Sequence, residues 1–545
     1  MKWSKILKTS WPEILFTLAA LAFSRWLMWH TFDYQDGFIY IAPKAWSDFS
    51  AHIPLIRSFS WGKNWPPEYP LFPGEPIRYH FGFYLLVGWL EKIGLPLDWA
   101  LNLPSLLSFA AMLIIVYLLG KLLFKKRAPA FLAVIFLLFN GSWSFLEFFK
   151  LYPLSWQTPQ VIFKNNVFPS FGPYDGKIVS AFWNLNIYTN QRHLALAYFC
   201  LLLIIYLLLK KIRYQNKLNW GQILPITLIL SLLPVLHKGV LIMAAVILAS
   251  FFVYFPKLRR TLLVIGVTTT LLIFPQLFNQ LGSSASGIAF RPGYLIPPPL
   301  TTAKFANYWF LNLGLSTMFI PLGFFLANQT AKKLFLSILP LFAIANLFQF
   351  SPEIAANSKF INLFLIIGNI LSAWAIDRIF TKKIWGKFLA IPLIFLMIFS
   401  GIIDFFPIKN DRLGGIADAP KNPDVAWIKN HTPPDAVFLN SSYIFNPASL
   451  AGRKIFLGWP YFPWSMGYNL AKREKAFRSI YESQNKKDIC RMLKENKLDY
   501  FTIENIGSSR DLPSINYIFF QRNFTPSYSS SSTDIQIFEV NKNCS

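Results

Sequence analysis

Long apolar runs separated by short basic loops fill the chain as far as Phe406. Runs near 11–30, 101–124, 128–147, 194–210, 221–237, 239–256, 261–279, 304–327, 334–350, 360–379 and 388–407 each approach the length a helix needs to cross a bilayer. The pattern predicts a polytopic α-helical membrane protein with about eleven transmembrane helices. One segment decides the register. Phe81 to Leu95 is apolar but short, and a run from Ala100 follows it at once. If both crossed, Lys121, Lys125, Lys126 and Arg127 would lie outside, against the rule that basic loops stay in the cytoplasm. Laid along the outer surface instead, Phe81 to Leu95 leaves those residues inside. It does the same for Lys210, Lys211, Arg213 and Lys217, for Lys257, Arg259 and Arg260, for Lys332 and Lys333, and for Arg378, Lys382, Lys383 and Lys387.

The start, MKWSKILKTS, is basic and followed by a spanning run with no small-residue cleavage site, so it reads as a retained signal-anchor helix with a cytoplasmic N-terminus. Glu13 and Arg25 interrupt that helix and read as ion-pairing groups. Four polar segments then face outward: a first loop (31–100), a second (148–193), a third (282–300) and the tail. Beyond Lys409 the pattern changes. AVFLNS, KIFLGW, DYFTIEN, YIFFQRN and DIQIFEV predict short strands, while PDVAWIKNH, AKREKAFRSIYES and NKKDICRMLKENK predict helices. The chain therefore divides into a transmembrane domain, 1–408, and a small C-terminal extracytoplasmic α/β domain, 409–545. The aromatic run GWPYFPWSMGY (458–468) reads as core packing ahead of a membrane-interface anchor.

Composition agrees: of 545 residues, 54% are hydrophobic and only 14% charged. A net charge of +26 would suggest nucleic acid in a soluble protein. Here the cations sit in loops between apolar runs, which makes the charge a matter of topology and excludes a nucleic-acid partner. Of three cysteines, Cys200 lies in an apolar run; Cys490 and Cys544 are free thiols or a pair, according to whether the tail is extracytoplasmic.

The ionisable residues gather in Ala45 to His80. In WSDFSAH a helix would set Asp48 and His52 four residues apart on one face, a carboxylate to take a proton and an imidazole to orient it. Glu75 lies in the stiff PPEYPLFPGEP loop, and Asp36 in an Asp-Gly turn pair is a rival carboxylate. Cations suited to a lipid phosphate are Arg78 and His80 before the surface helix, Arg192 and His193 where a span enters, His237 and Lys238 between two spans, and Lys359. A divalent metal held by Asp48, His52 and Asp175 is an alternative, but hard cations take more carboxylates than these, so no cofactor is expected.

An inward N-terminus, a large outer loop with an early Asp, a surface helix and then LNLPSLLSFAAMLIIVYLLGKLLFKKRAPAFLAVIFLLFNGS together resemble the GT-C superfamily of polyprenyl-phosphate-sugar-dependent glycosyltransferases, such as protein mannosyltransferases and aminoarabinose transferases. WSDFSAH is similar to the Asp-then-His pattern of some members. The resemblance implies an integral membrane glycosyltransferase of a prokaryotic plasma membrane. It would move a sugar from a polyprenyl-phosphate donor to an extracytoplasmic glycan, lipid or protein acceptor, with Asp48 as general base. A transporter or lipid-glycan flippase is the alternative, marked by internal repeats and broken midplane helices; a non-catalytic scaffold presenting the tail is another.

Overall fold

The computed structural model describes the chain except residues 1, 172–174, 215–219, 282–287, 505–511 and 545. The chain forms two compact units. Residues 1–31, 102–279 and 287–412 make the first, and the second is built mainly of 32–101 and 413–545. The first outer loop thus folds with the tail, whereas the sequence pattern groups it with the membrane domain. Backbone pairing is the reason. Phe32–Gln35 and Phe38–Ile41 form a hairpin, and Phe38–Ile41 pairs antiparallel with Gly414–Ala417 from the tail, Phe38 opposite Ala417. Periodicity marks a strand but not its partner.

In the first unit, helices occupy all eleven expected stretches. Among the described residues, six are both long and apolar enough to cross a membrane, seven if one bent pair is a single span. Arg127–Leu138, Gly221–Leu236 and Lys238–Tyr254 are apolar but shorter. Two expected spans are broken. The one at 128–147 stops at Leu138, continues extended at Phe139, and restarts as the helix Ser144–Leu151. The intervening Asn140-Gly141 pair is a turn signal inside an apolar run. The one at 304–327 divides at Gly314 into Thr302–Leu313 and Ser316–Leu326, which meet at 86°. Gly314 has φ +55°, and a Cβ there would collide with the Gly141 carbonyl oxygen, so the second break rests on the first.

The basic ends of the helices gather at one end of this unit. Glu13 pairs with Lys121 and Arg127, Lys126 with Asp377, the Arg213 guanidinium donates to the Leu122 carbonyl, and Asn328 donates to the Leu123 carbonyl. At the opposite end His30 meets the carbonyls of Ile408 and Lys409.

The second unit holds a five-stranded sheet in the order Tyr528–Ser529, Gln536–Glu539, Tyr500–Ile503, Val437–Leu439, Lys454–Ile455, the last three parallel. Pro423–His431, Ala471–Glu482 and Lys486–Glu495 are helices, the first capped by Asn422. YIFFQRN is a helix rather than a strand, because Asn516 accepts the Phe519 N–H as its cap and turns Phe520 into the core. Tyr528 and Ser529 add an edge strand. Cys490 and Cys544 form a disulfide.

Candidate active site

Two sets of expected site residues fall in different units. Asp36, Asp48, His52, Glu75, Arg78 and His80 belong to the second, and Arg192, His193, His237, Lys238 and Lys359 to the first.

In the second unit, the helix Trp46–Ser60 carries Asp48 in its first turn and His52 one turn later, so the expected shared face is present. Asp48 is half-buried and His52 buried. The His52 ring packs between Phe49, 5.9 Å away, and Tyr84, 4.7 Å away. Pro54 lacks the N–H that would bond the Ser50 carbonyl, which opens the helix between these two residues. Facing them are three tyrosines that the pattern of charges does not reveal. Tyr79 and Tyr84 are hydrogen-bonded to each other, and burial keeps the phenols of Tyr69, Tyr79 and Tyr84 protonated well above their ordinary range. The Asp48 carboxylate raises all three further. His80 lies against Tyr79, with ring centroids 3.8 Å apart. The result is one acid, two imidazoles and phenolic hydroxyls in a largely aromatic enclosure. The density of Tyr and His between Tyr69 and Tyr84 was the available signal.

The other carboxylates of this loop are committed to cations or to a turn. Glu75 pairs with Arg78 at 2.8 Å, Glu68 with Lys454 at 2.6 Å, and Glu91 with Arg57 at 3.0 Å. Asp36 is exposed, with φ +52° in the tight turn between the two hairpin strands, so its place is explained by the turn. Arg78 also donates to the Gly467 carbonyl and lies over Tyr468, 4.6 Å from the ring centre. Tyr468 in turn stacks on Tyr69 and Phe72, so the end of GWPYFPWSMGY closes over the first loop. Trp459, Tyr461 and Trp464 in the same run stay partly exposed.

In the first unit, Arg192 is 1% exposed. Its guanidinium donates to the Met28 and Thr189 carbonyls, the Thr31 hydroxyl, the Asn102 amide oxygen and the Met28 sulfur. That is the geometry of a tie between helix ends. His193 and His237 are both buried, with ring centroids 5.5 Å apart, two nitrogen donors of the kind a divalent metal takes. His237 caps Lys238–Tyr254, its Nδ1 accepting the Val240 N–H at 3.3 Å. Lys238 opens that helix, and Lys359, an electrostatic neighbour of His237, stands in the first turn of Ser358–Phe380. Asp175 pairs with Lys177 at 2.9 Å, which holds its carboxyl below the usual range.

No family model and no curated protein matches the sequence. Solved structures do. ArnT from Cupriavidus metallidurans, in the apo state, is 10% identical, and the match covers 98% of each chain with a TM-score of 0.50. The Archaeoglobus fulgidus oligosaccharyltransferase in complex with Zn and sulfate is 13% identical over 89% of this chain and 68% of that one, with a TM-score of 0.48. The same enzyme tethered to an acceptor peptide is 11% identical over 92% and 70%, with a TM-score of 0.46. The end-to-end likeness to ArnT shows that this chain shares its fold.

Proposed function

We propose that this protein is an integral membrane glycosyltransferase that moves a sugar from a polyprenyl-phosphate donor to an extracytoplasmic acceptor, with Asp48 as general base. The observation that carries the reading is the setting of Asp48: a half-buried carboxylate on a helical face with His52, electrostatically coupled to tyrosines held protonated, in a chain that shares the fold of ArnT.

Transfer asks little of the protein beyond placement and charge. Asp48 takes the proton of the acceptor hydroxyl or amine, whose freed electron pair attacks the anomeric carbon. The bond from that carbon to the phosphate oxygen breaks, and the phosphate departs with its electrons. His52, fixed against Tyr84, orients the carboxylate, and the tyrosine hydroxyls donate hydrogen bonds to sugar or phosphate oxygens. Arg78 and His80 on the loop are the cations for the departing phosphate. The basic helix ends gathered at one end of the membrane unit favour that end as cytoplasmic, and the disulfide favours an oxidising compartment for the tail.

The test is to incubate the purified full chain in nanodiscs with a panel of labelled polyprenyl-phosphate sugars, comparing wild type with Asp48→Asn. Transfer by the wild type that the substitution abolishes supports the reading. Transfer that survives it moves the base elsewhere, and no transfer or donor hydrolysis with any sugar ends the enzyme reading.

A further inference from the structure

The membrane unit buries a second carboxylate that the proposed transfer does not use. Asp404, in the helix Lys383–Lys409, is 1% exposed. It accepts hydrogen bonds from the Asn140 amide at 3.0 Å and the Ser180 hydroxyl at 3.3 Å, with the Asn184 amide as a further neighbour. These partners are all neutral. A carboxylate inside an apolar helical unit is costly unless something positive joins it, and neutral hydrogen-bond donors meet only part of that cost.

A cavity of about 30 Å³ adjoins this carboxylate through Asn140. It lies where the two broken helices touch: Asn140 and Gly141 line it from the first break, and Leu313 and Ser316 flank the second. Its other polar walls are Asn312, Asn362 and Asn369. The orientation of the last two amides follows from their bonds. Asn362 gives its amide hydrogens to the Phe182 and Ser358 carbonyls, at 2.9 and 3.1 Å, and Asn369 donates to the Phe136 carbonyl at 3.1 Å. Each therefore has its side-chain oxygen left for the cavity, two helical turns apart on the same helix, with the Ser316 hydroxyl as a third oxygen. Irregular backbone at membrane depth is stable where it lines a polar cavity, and paired helix breaks beside a carboxylate are a recurring way of holding small ions.

We propose that this cavity is a binding site for a small monovalent cation of the sodium type, held by the side-chain oxygens of Asn362, Asn369 and Ser316 and balanced by Asp404 through Asn140. Charge argues for monovalence, since one carboxylate balances one positive charge and divalent sites in proteins draw on more. Hardness argues for sodium over a transition metal, because the polar side chains of the lining offer amide and hydroxyl oxygens and no imidazole, with the Met397 thioether as the one sulfur among the lining residues. The volume has room for about two water-sized bodies, an ion with one retained water. Bound there, the ion would brace the junction of the two broken helices.

The experiment uses the full chain in detergent micelles at fixed pH and ionic strength, melted in sodium, potassium or choline chloride, with radioactive sodium binding measured in parallel. The expected result is saturable sodium binding and a melting temperature about 2–4 °C higher in sodium than in choline. Asp404→Asn and Asn369→Leu should each lose both responses while eluting as a single species. The wild-type comparison stands even if a variant fails to fold. Equal melting in all three salts, as a water-filled or proton-balanced cavity would give, overturns the proposal, and so does sodium binding that Asp404→Asn leaves intact.

Discussion

Arg57 and Asp418 lie 361 residues apart in sequence, yet the guanidinium of one donates to the carboxylate of the other at 2.7 Å, with both side chains shut from water. Glu91 closes the group, 3.0 Å from the Arg57 Nε and accepting the Ser60 hydroxyl at 2.5 Å. Trp61 stacks between two cations, Arg57 at 3.3 Å and Lys429 at 3.5 Å. The helix that bears Asp48 is thereby fastened to the tail, so the placement of the candidate base depends on chain that follows the last span.

Removing one member of a buried ionic group leaves the others uncompensated, at about 3–5 kcal/mol. Asp418→Ala is therefore expected to destabilise the second unit by about that much. Limited proteolysis of the tail at increasing urea measures it. A variant as resistant as wild type would mean that Arg57 finds Glu91 sufficient.

Glu91 gives this group a pH dependence. Burial raises its carboxyl above the ordinary glutamate range, against the opposing charge of Arg57. A folded-state value above the unfolded one means that the folded unit holds the proton more tightly. The stabilisation from Glu91 is then complete below the unfolded value and is lost as pH rises through the folded one. Melting scans stepped upward from pH 4 should show wild type losing stability relative to Glu91→Gln across that window. Parallel curves for the two proteins would exclude it.

The Cys490–Cys544 disulfide closes a loop of 54 residues, a constraint worth about 4 kcal/mol in the chain-entropy account. Reduction, or the double substitution of both cysteines by serine, should lower the urea midpoint of the second unit. Protease-resistant helices of the membrane unit should persist under the same treatment.

How much of this was legible in the chain follows from what each signal encodes. Hydropathy located every long helix, because burial in a membrane demands continuous apolar sequence. It missed that Asn140-Gly141 and Gly314 break two of them, although the turn pair is present in the sequence, because tertiary contact decides whether such a pair bends a helix. Spacing placed Asp48 and His52 on one face. Charge suggested Arg192 as a phosphate ligand but not as a tie, since its partners Met28, Thr31 and Asn102 come from distant stretches. Neutral residues escaped altogether. The three tyrosines coupled to Asp48 and the asparagines beside Asp404 become chemical groups only once folding encloses them.

The contrast between Asp48 and Tyr79 separates a base from a donor within one enclosure. Burial and the neighbouring Asp48 charge hold the Tyr79 phenol protonated, so it can donate a hydrogen bond but not accept the acceptor's proton. Asp48→Asn removes the proton acceptor and should lower kcat by about 10²–10⁴-fold, with little change in KM for the lipid donor or in melting temperature. Tyr79→Phe removes one neutral hydrogen bond, worth about 1 kcal/mol, and should lower kcat about fivefold. His52→Ala, which removes the imidazole packed against Phe49 and Tyr84, should fall between them. Rates measured at saturating donor give the order directly. A larger loss in Tyr79→Phe than in Asp48→Asn would move the proton acceptor away from Asp48.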